Sequence, residues 1–244
     1  MRRAWLIARK DMKEAFGRRP AVLRTVVPAV LLSVLYGVMT GLGIRSAAGR
    51  PELMRAIAGQ IPLFASVVTL LGAVAAVVVT ADAIAGEKER RTIETLLATP
   101  ASDLEIFVGK VVAALVPALG IGYGGGLLYF VVARALAGAE PLPIPPLMAA
   151  AKVIVGGVPL LTLMMAAVGV IVSSRCGSVT TANQLSGLLT LPLFGAAVYA
   201  AFRISAWSPW QVLLVLLGLV ALCAVLLVLG ARALGREEII ARLD

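Results

Sequence analysis

Residues 86–100 read GEKERRTIETLLATP, and they place Glu87, Lys88, Glu89, Arg90, Arg91 and Glu94 between two long apolar runs. Outward from this segment the chain is nearly free of charge. Asp, Glu, Lys and Arg are absent from 25–44, 56–81, 111–133, 153–174, 176–202 and 204–231. Each window holds at least the ~20 residues of helix needed to cross a ~30 Å hydrocarbon core. The composition agrees, with 60% hydrophobic residues and a mean hydropathy of +0.99, against roughly 45–50% apolar in soluble domains. The fold expected is therefore all-α: one polytopic membrane domain over 1–244, with spans at about 25–44, 62–82, 108–133, 153–173, 180–202 and 210–231. Pro28, Pro117, Pro159 and Pro192 fall inside these windows, as membrane helices packed on neighbours allow.

The basic residues orient the chain. Of 22 Lys and Arg, 16 fall on the side of the N-terminus, the 82–110 loop, Arg175 and the tail 232–244, and 6 on the other. Positive residues are retained in the cytoplasm, so both termini and the 86–103 loop are expected there, in a prokaryotic plasma membrane. The net charge of +9 then reflects topology and contact with anionic lipid, and no soluble basic surface is left for nucleic acid. Residues 1–24 lack the apolar core and cleavage site of a signal peptide. Trp5, Ala8, Met12 and Phe16 recur at spacings of three and four, with Arg9 on another face. That pattern fits an amphipathic helix in the interface, ending where Pro20 lets the chain turn into the first span. It fits a plain juxtamembrane anchor or a partner-docking element equally well.

Several chemistries are excluded. The chain has no histidine, hence no Ser-His or Cys-His nucleophile and no HExxH zinc site. It has no GxxxxGK[ST] loop, and so no means of its own to hydrolyse ATP. The apolar windows hold no carboxylate of the kind proton relays use. Asp82, just beyond one of them, reads as a charge at a helix end. Cys176 and Cys223 lie in different parts of the topology and suggest neither disulfide nor metal. No catalytic, cofactor or metal residue is expected.

Within 86–100, Glu87 precedes Arg91 by four residues and Arg90 precedes Glu94 by four, spacings that let both pairs meet on a helix. Ile93, Leu96 and Leu97 form an apolar stripe, and Pro100 ends the element. The segment thus reads as a short amphipathic helix, hinged at Gly86, able to pass a push from a soluble partner to the second span. It reads also as a solvated, salt-bridged connector.

The run GEKERRTIETLLATPASDLEIFVGK resembles the cytoplasmic segment of ABC-2-type permeases, the membrane subunits of ATP-binding-cassette exporters. Glu87, Glu89, Arg90, Thr92, Glu94, Leu96, Leu97 and Pro100 match that pattern, while at Arg91 many relatives have Gly. The layout is similar too: basic amphipathic N-terminal helix, six spans, charged loop between the second and third. The resemblance implies a type V exporter-like homodimer or heterodimer in the bilayer with two copies of a separate ATPase beneath it. ATP and Mg²⁺ would then bind the partner and not this chain. It further implies that 86–100 is a coupling helix, that the N-terminal helix is a connecting element, and that Ser174 and Arg175 form a second, smaller contact. A non-transporting scaffold that recruits a soluble partner through 86–100 is the alternative.

Other segments add detail. Residues 141–146, PLPIPP, predict an extended linker. Pro192 is compatible with a broken fifth span, although a single proline more often just kinks one, and Trp207 and Trp210 mark the interface beyond it. Gly120, Gly122, Gly124 and Gly126 give two overlapping GxxxG spacings, suited to close helix packing within the subunit, to a dimer seam or to a permeation wall. Without charge in the spans, an apolar or amphipathic cargo is expected.

Overall fold

The computed structural model describes residues 2–17, 19–92, 102–203 and 207–233. Among them the chain forms helices and no strand. The helices are α1 (Arg2–Gly17), α2 (Arg19–Ser46), α3 (Pro51–Glu89), α4 (Asp103–Ala137), α5 (Ile144–Lys152), α6 (Val158–Arg175), α7 (Val179–Arg203) and α8 (Pro209–Ala233), with a π-helical turn, Val153–Gly157, joining α5 to α6. Among the described residues, five stretches are long and apolar enough to cross a membrane: Thr25–Ser46, Pro51–Glu89, Leu104–Ala137, Ile144–Arg175 and Trp210–Gly230. The span expected at 180–202 coincides with α7, whose first turns carry Thr180, Thr181, Asn183 and Gln184, and it is not among the five.

Local chemistry sets the ends. Pro51 and Pro20 sit in first turns, where a missing N–H is harmless. Ser102 and Glu105 form a reciprocal capping box at α4, and Ser208 with Gln211 makes the same exchange at α8.

Two expectations are revised by these helices. The second span was bounded at 62–82 with a hinge at Gly86, but α3 runs unbroken for 39 residues, about 58 Å of rise, and Gly86 is buried inside it. The extended linker survives only at 141–143. Ile144, Pro145 and Pro146 form the first turn of α5, because proline's fixed φ suits that position. Helix α7, by contrast, continues through Pro192, in line with a single proline more often kinking a span than breaking it.

The π turn has a visible cause. Pro159 has no N–H to offer the carbonyl four residues back, Val155, and the Tyr123 hydroxyl donates to that oxygen at 3.2 Å.

Helix α3 is the axis on which α2, α4, α6 and α7 pack. One buried cluster, including Ala73, Ala76, Phe107, Ala114, Met165 and Val170, surrounds its second half, and another, including Ile61, Val68, Tyr129 and Val158, its first. Lipid offers no hydrophobic gain from helix association, so close backbone approach has to supply the attraction. A Cβ at Gly72 would sit 3.1 Å from Gly122 Cα, and one at Gly169 would collide with Thr80.

Candidate functional site: the charged end of the bundle

The last turn of α3 is Gly86-Glu87-Lys88-Glu89, followed by Arg90 as its C-cap. Arg91 then adopts φ +56°. Its N–H donates to Lys88 O at 3.0 Å and that of Thr92 to Glu87 O at 2.9 Å. This pair of bonds is the Schellman ending, whose left-handed residue is ordinarily glycine. The expected Glu87–Arg91 pair is therefore absent, because Arg91 has already left the helix and terminates it.

Each of the four charged residues Glu87 to Arg90 reaches a different place. Glu87 Oε2 lies 3.3 Å from Lys110 Nζ on α4, and the same ammonium lies 3.4 Å from Asp11 Oδ2 on α1. The Lys110 side chain is 1% exposed, so α1, α3 and α4 share one buried ionic junction. Lys88 Nζ donates to Ser174 O at 2.8 Å, at the end of α6. Glu89 Oε1 accepts from Val179 N at 2.8 Å, where the unpaired N–H groups opening α7 favour a carboxylate. Arg90 folds back along its own helix to Asp82, and it can do so because Gly86, midway between them, has no side chain. A Cβ there would collide with both ends of the pair. Asp82, read from sequence as a simple helix-end charge, thus anchors Arg90.

Beneath this turn α6 is bound into α3. Ser173 Oγ accepts from Ile84 N and Ala85 N at 3.2 and 2.9 Å and donates to Ala81 O at 2.9 Å, inserting a hydroxyl into the helical ladder. Ser174 is buried, its hydroxyl bonded to Ile171 O, whereas Arg175 is exposed. Of that pair only Arg175 faces outward.

Helix α1 approaches α4 through its small residues. Ala4 and Ala8 are buried, and a Cβ at Gly109 would stand 2.9 Å from Ala4 O. Trp5, 56% exposed, lies away from this seam with Arg9, and Met12 is half-buried. Trp5 and Ala8 therefore do not share a face as their spacing suggested: the packed side is Ala4, Ala8 and Asp11. Phe16 lies in the last turn of α1. Ile93, Glu94, Leu96, Leu97 and Pro100 fall outside the described residues, so the Arg90–Glu94 pair does too.

The glycines of α4 divide between two sides. Gly122 and Gly126 pack on Val158 and Ile154 of the same chain, while at Gly120 and Gly124 an added Cβ would meet nothing.

Sequence reasoning named Glu87, Glu89, Arg90 and Arg91 but missed Asp11, Lys110 and Ser173. A lysine seven residues into an apolar helix was the available signal, since burying an unpaired ammonium is costly and implies a partner.

Comparison with curated proteins returns no match. A family model described as ABC-2 family transporter protein matches residues 5–206, from α1 to just beyond α7, and so takes in the whole charged junction. Over that length, and with these apolar helices, the chain belongs to the ABC-2 family of transporters and is a multi-pass integral membrane permease.

Proposed function

We propose that this permease is the substrate-conducting subunit of an exporter, driven through its charged end by a separate ABC ATPase. The observation that carries the proposal is the set of bonds made by the four residues 87–90. Four consecutive side chains tie the last turn of α3 to α4 and α1, to α6, to α7 and to α3 itself. A displacement of the segment that follows, 93–101, would be felt at once by most of the bundle. Leu96 and Leu97 in that segment would dock on the ATPase, Pro100 would end it, and Arg175 would add a lesser contact.

In this arrangement α7 is the fifth of six spans, and both termini and the charged end face the cytoplasm of a prokaryotic cell. The excess of Lys and Arg on that side supports it. Two permease chains, identical or related, would carry two ATPase copies that bind ATP and Mg²⁺. The cargo would be apolar or amphipathic.

A photo-crosslinking residue at Leu97, in membranes containing the cognate ATPase, is expected to capture that subunit, whereas one at Ala139, at the far end of α4, is not. Capture from Ala139 and none from Leu97 would overturn both the orientation and the docking site.

A further inference from the structure

At the end of the bundle away from the charged junction, α3, the π turn, α6, α7 and α8 enclose a cavity of about 620 Å³, within the ~300–1,000 Å³ of ligand sites. Its width depends on the π turn. Gly156 and Gly157 line it, and Cβ atoms there would already stand 3.4 Å from Leu216 Cδ2 and 3.3 Å from Thr69 Cγ2.

Its interior is suited to hydrocarbon. The hydroxyls of Ser66 and Thr69, the polar side chains on the α3 wall, donate back to Pro62 O and Ala65 O at 2.9 Å each. A water in this space would lack the two to four polar partners it needs. Met148 and Val155 on the wall are exposed, so the cavity is continuous with the apolar exterior of the bundle.

Its mouth is different. Lys152, which closes α5, is exposed and makes no ion pair or hydrogen bond with the described residues. Trp207 also lines the cavity, and tryptophan and lysine together mark headgroup depth. From Lys152 to Leu161 the wall runs nine positions, about 13 Å of helix. One leaflet is about 15 Å deep, half of a ~30 Å core.

We infer that this cavity binds one hydrocarbon chain of an anionic phospholipid from the adjoining leaflet, with the phosphate held by Lys152. The site lies within a single chain, apart from the charged junction, and requires only that the protein is embedded in a bilayer.

Trp207 supplies the readout. The full chain carrying Trp5→Phe and Trp210→Phe is reconstituted in phosphatidylcholine vesicles, into which chain-brominated phosphatidylglycerol or chain-brominated phosphatidylcholine is titrated. Trp207 fluorescence is expected to fall saturably with the anionic lipid at mole fractions where the zwitterionic lipid quenches little. Lys152→Gln is expected to weaken the apparent affinity about five-fold, matching the ~1 kcal/mol that one lysine contributes beside an anionic surface. Gly156→Leu should fill the cavity and remove the saturable component, with Leu216→Phe as a second filling variant should the first not fold.

Identical curves for the two lipids, or no effect of Lys152→Gln, would overturn the assignment. So would a Trp207 that neither lipid quenches, which would mean that a second copy of the chain covers the opening. None of these arms involves ATP or the ATPase, so their outcome is separate from that of the transport role.

Discussion

Lys110 is a cation almost without solvent, held between Glu87 and Asp11, and its replacement leaves two carboxylates facing each other. Breaking a buried pair from one side costs roughly 3–5 kcal/mol, so Lys110→Met should lower the thermal midpoint of the detergent-solubilised protein sharply. Adding Glu87→Gln should restore part of the loss, since contacting residues are not additive. Arg91 makes the opposite case. At φ +56° a side chain costs roughly 1–2 kcal/mol relative to the right-handed region, and Arg91→Gly should raise the midpoint while Arg91→Val lowers it. The identity of these charges was plain in the sequence, and so was the departure from glycine at position 91. Their partners were not. Helical periodicity reports only neighbours three and four residues away on one helix, whereas Glu87 meets Lys110, Glu89 meets Val179 and Lys110 meets Asp11 across the fold.

At the scale of elements, windows free of charge located the apolar centres of the helices well, because burial in hydrocarbon is what excludes charge. They located ends poorly. Helix α3 continues past Arg55 and Asp82, and α5 ends on Lys152, since a helix outside the hydrocarbon tolerates charge. The capping pair Ser208 and Gln211 was legible and passed over; the π turn needed the Tyr123 hydroxyl to be seen beside Val155 O. The GxxxG pattern was legible as a packing signal without saying which of its two sides is used within the chain. Gly122 faces Val158 at close range and Gly124 faces open space. Gly122→Leu is therefore expected to destabilise by ~1–3 kcal/mol through overpacking, and Gly124→Leu to stay within ~0.5 kcal/mol, as read from paired thermal melts. Equal effects would mean that both sides pack, the second against another subunit.

For the whole molecule, the charged junction is where a permease driven by a separate ATPase, as proposed above, would be moved from outside. Helix α3 touches most of the bundle, and its last turn is where those contacts turn ionic and directional. Small residues along α3, α4 and α6 let the helices lie close, so a shift at one end has little slack in which to be lost. Glu89 is the most telling of the four side chains because its bond to Val179 N joins α3 to α7 without burying a charge. Its loss should leave the fold intact. The direct test is ATPase activity of the reconstituted complex carrying Glu89→Gln, with co-purification of the ATPase as the control for assembly. The ATPase should still co-purify, while the activation that the permease confers on it falls about tenfold, the worth of one charge-assisted hydrogen bond at ~1.5 kcal/mol. An assembled complex with undiminished activation would contradict coupling through the last turn of α3.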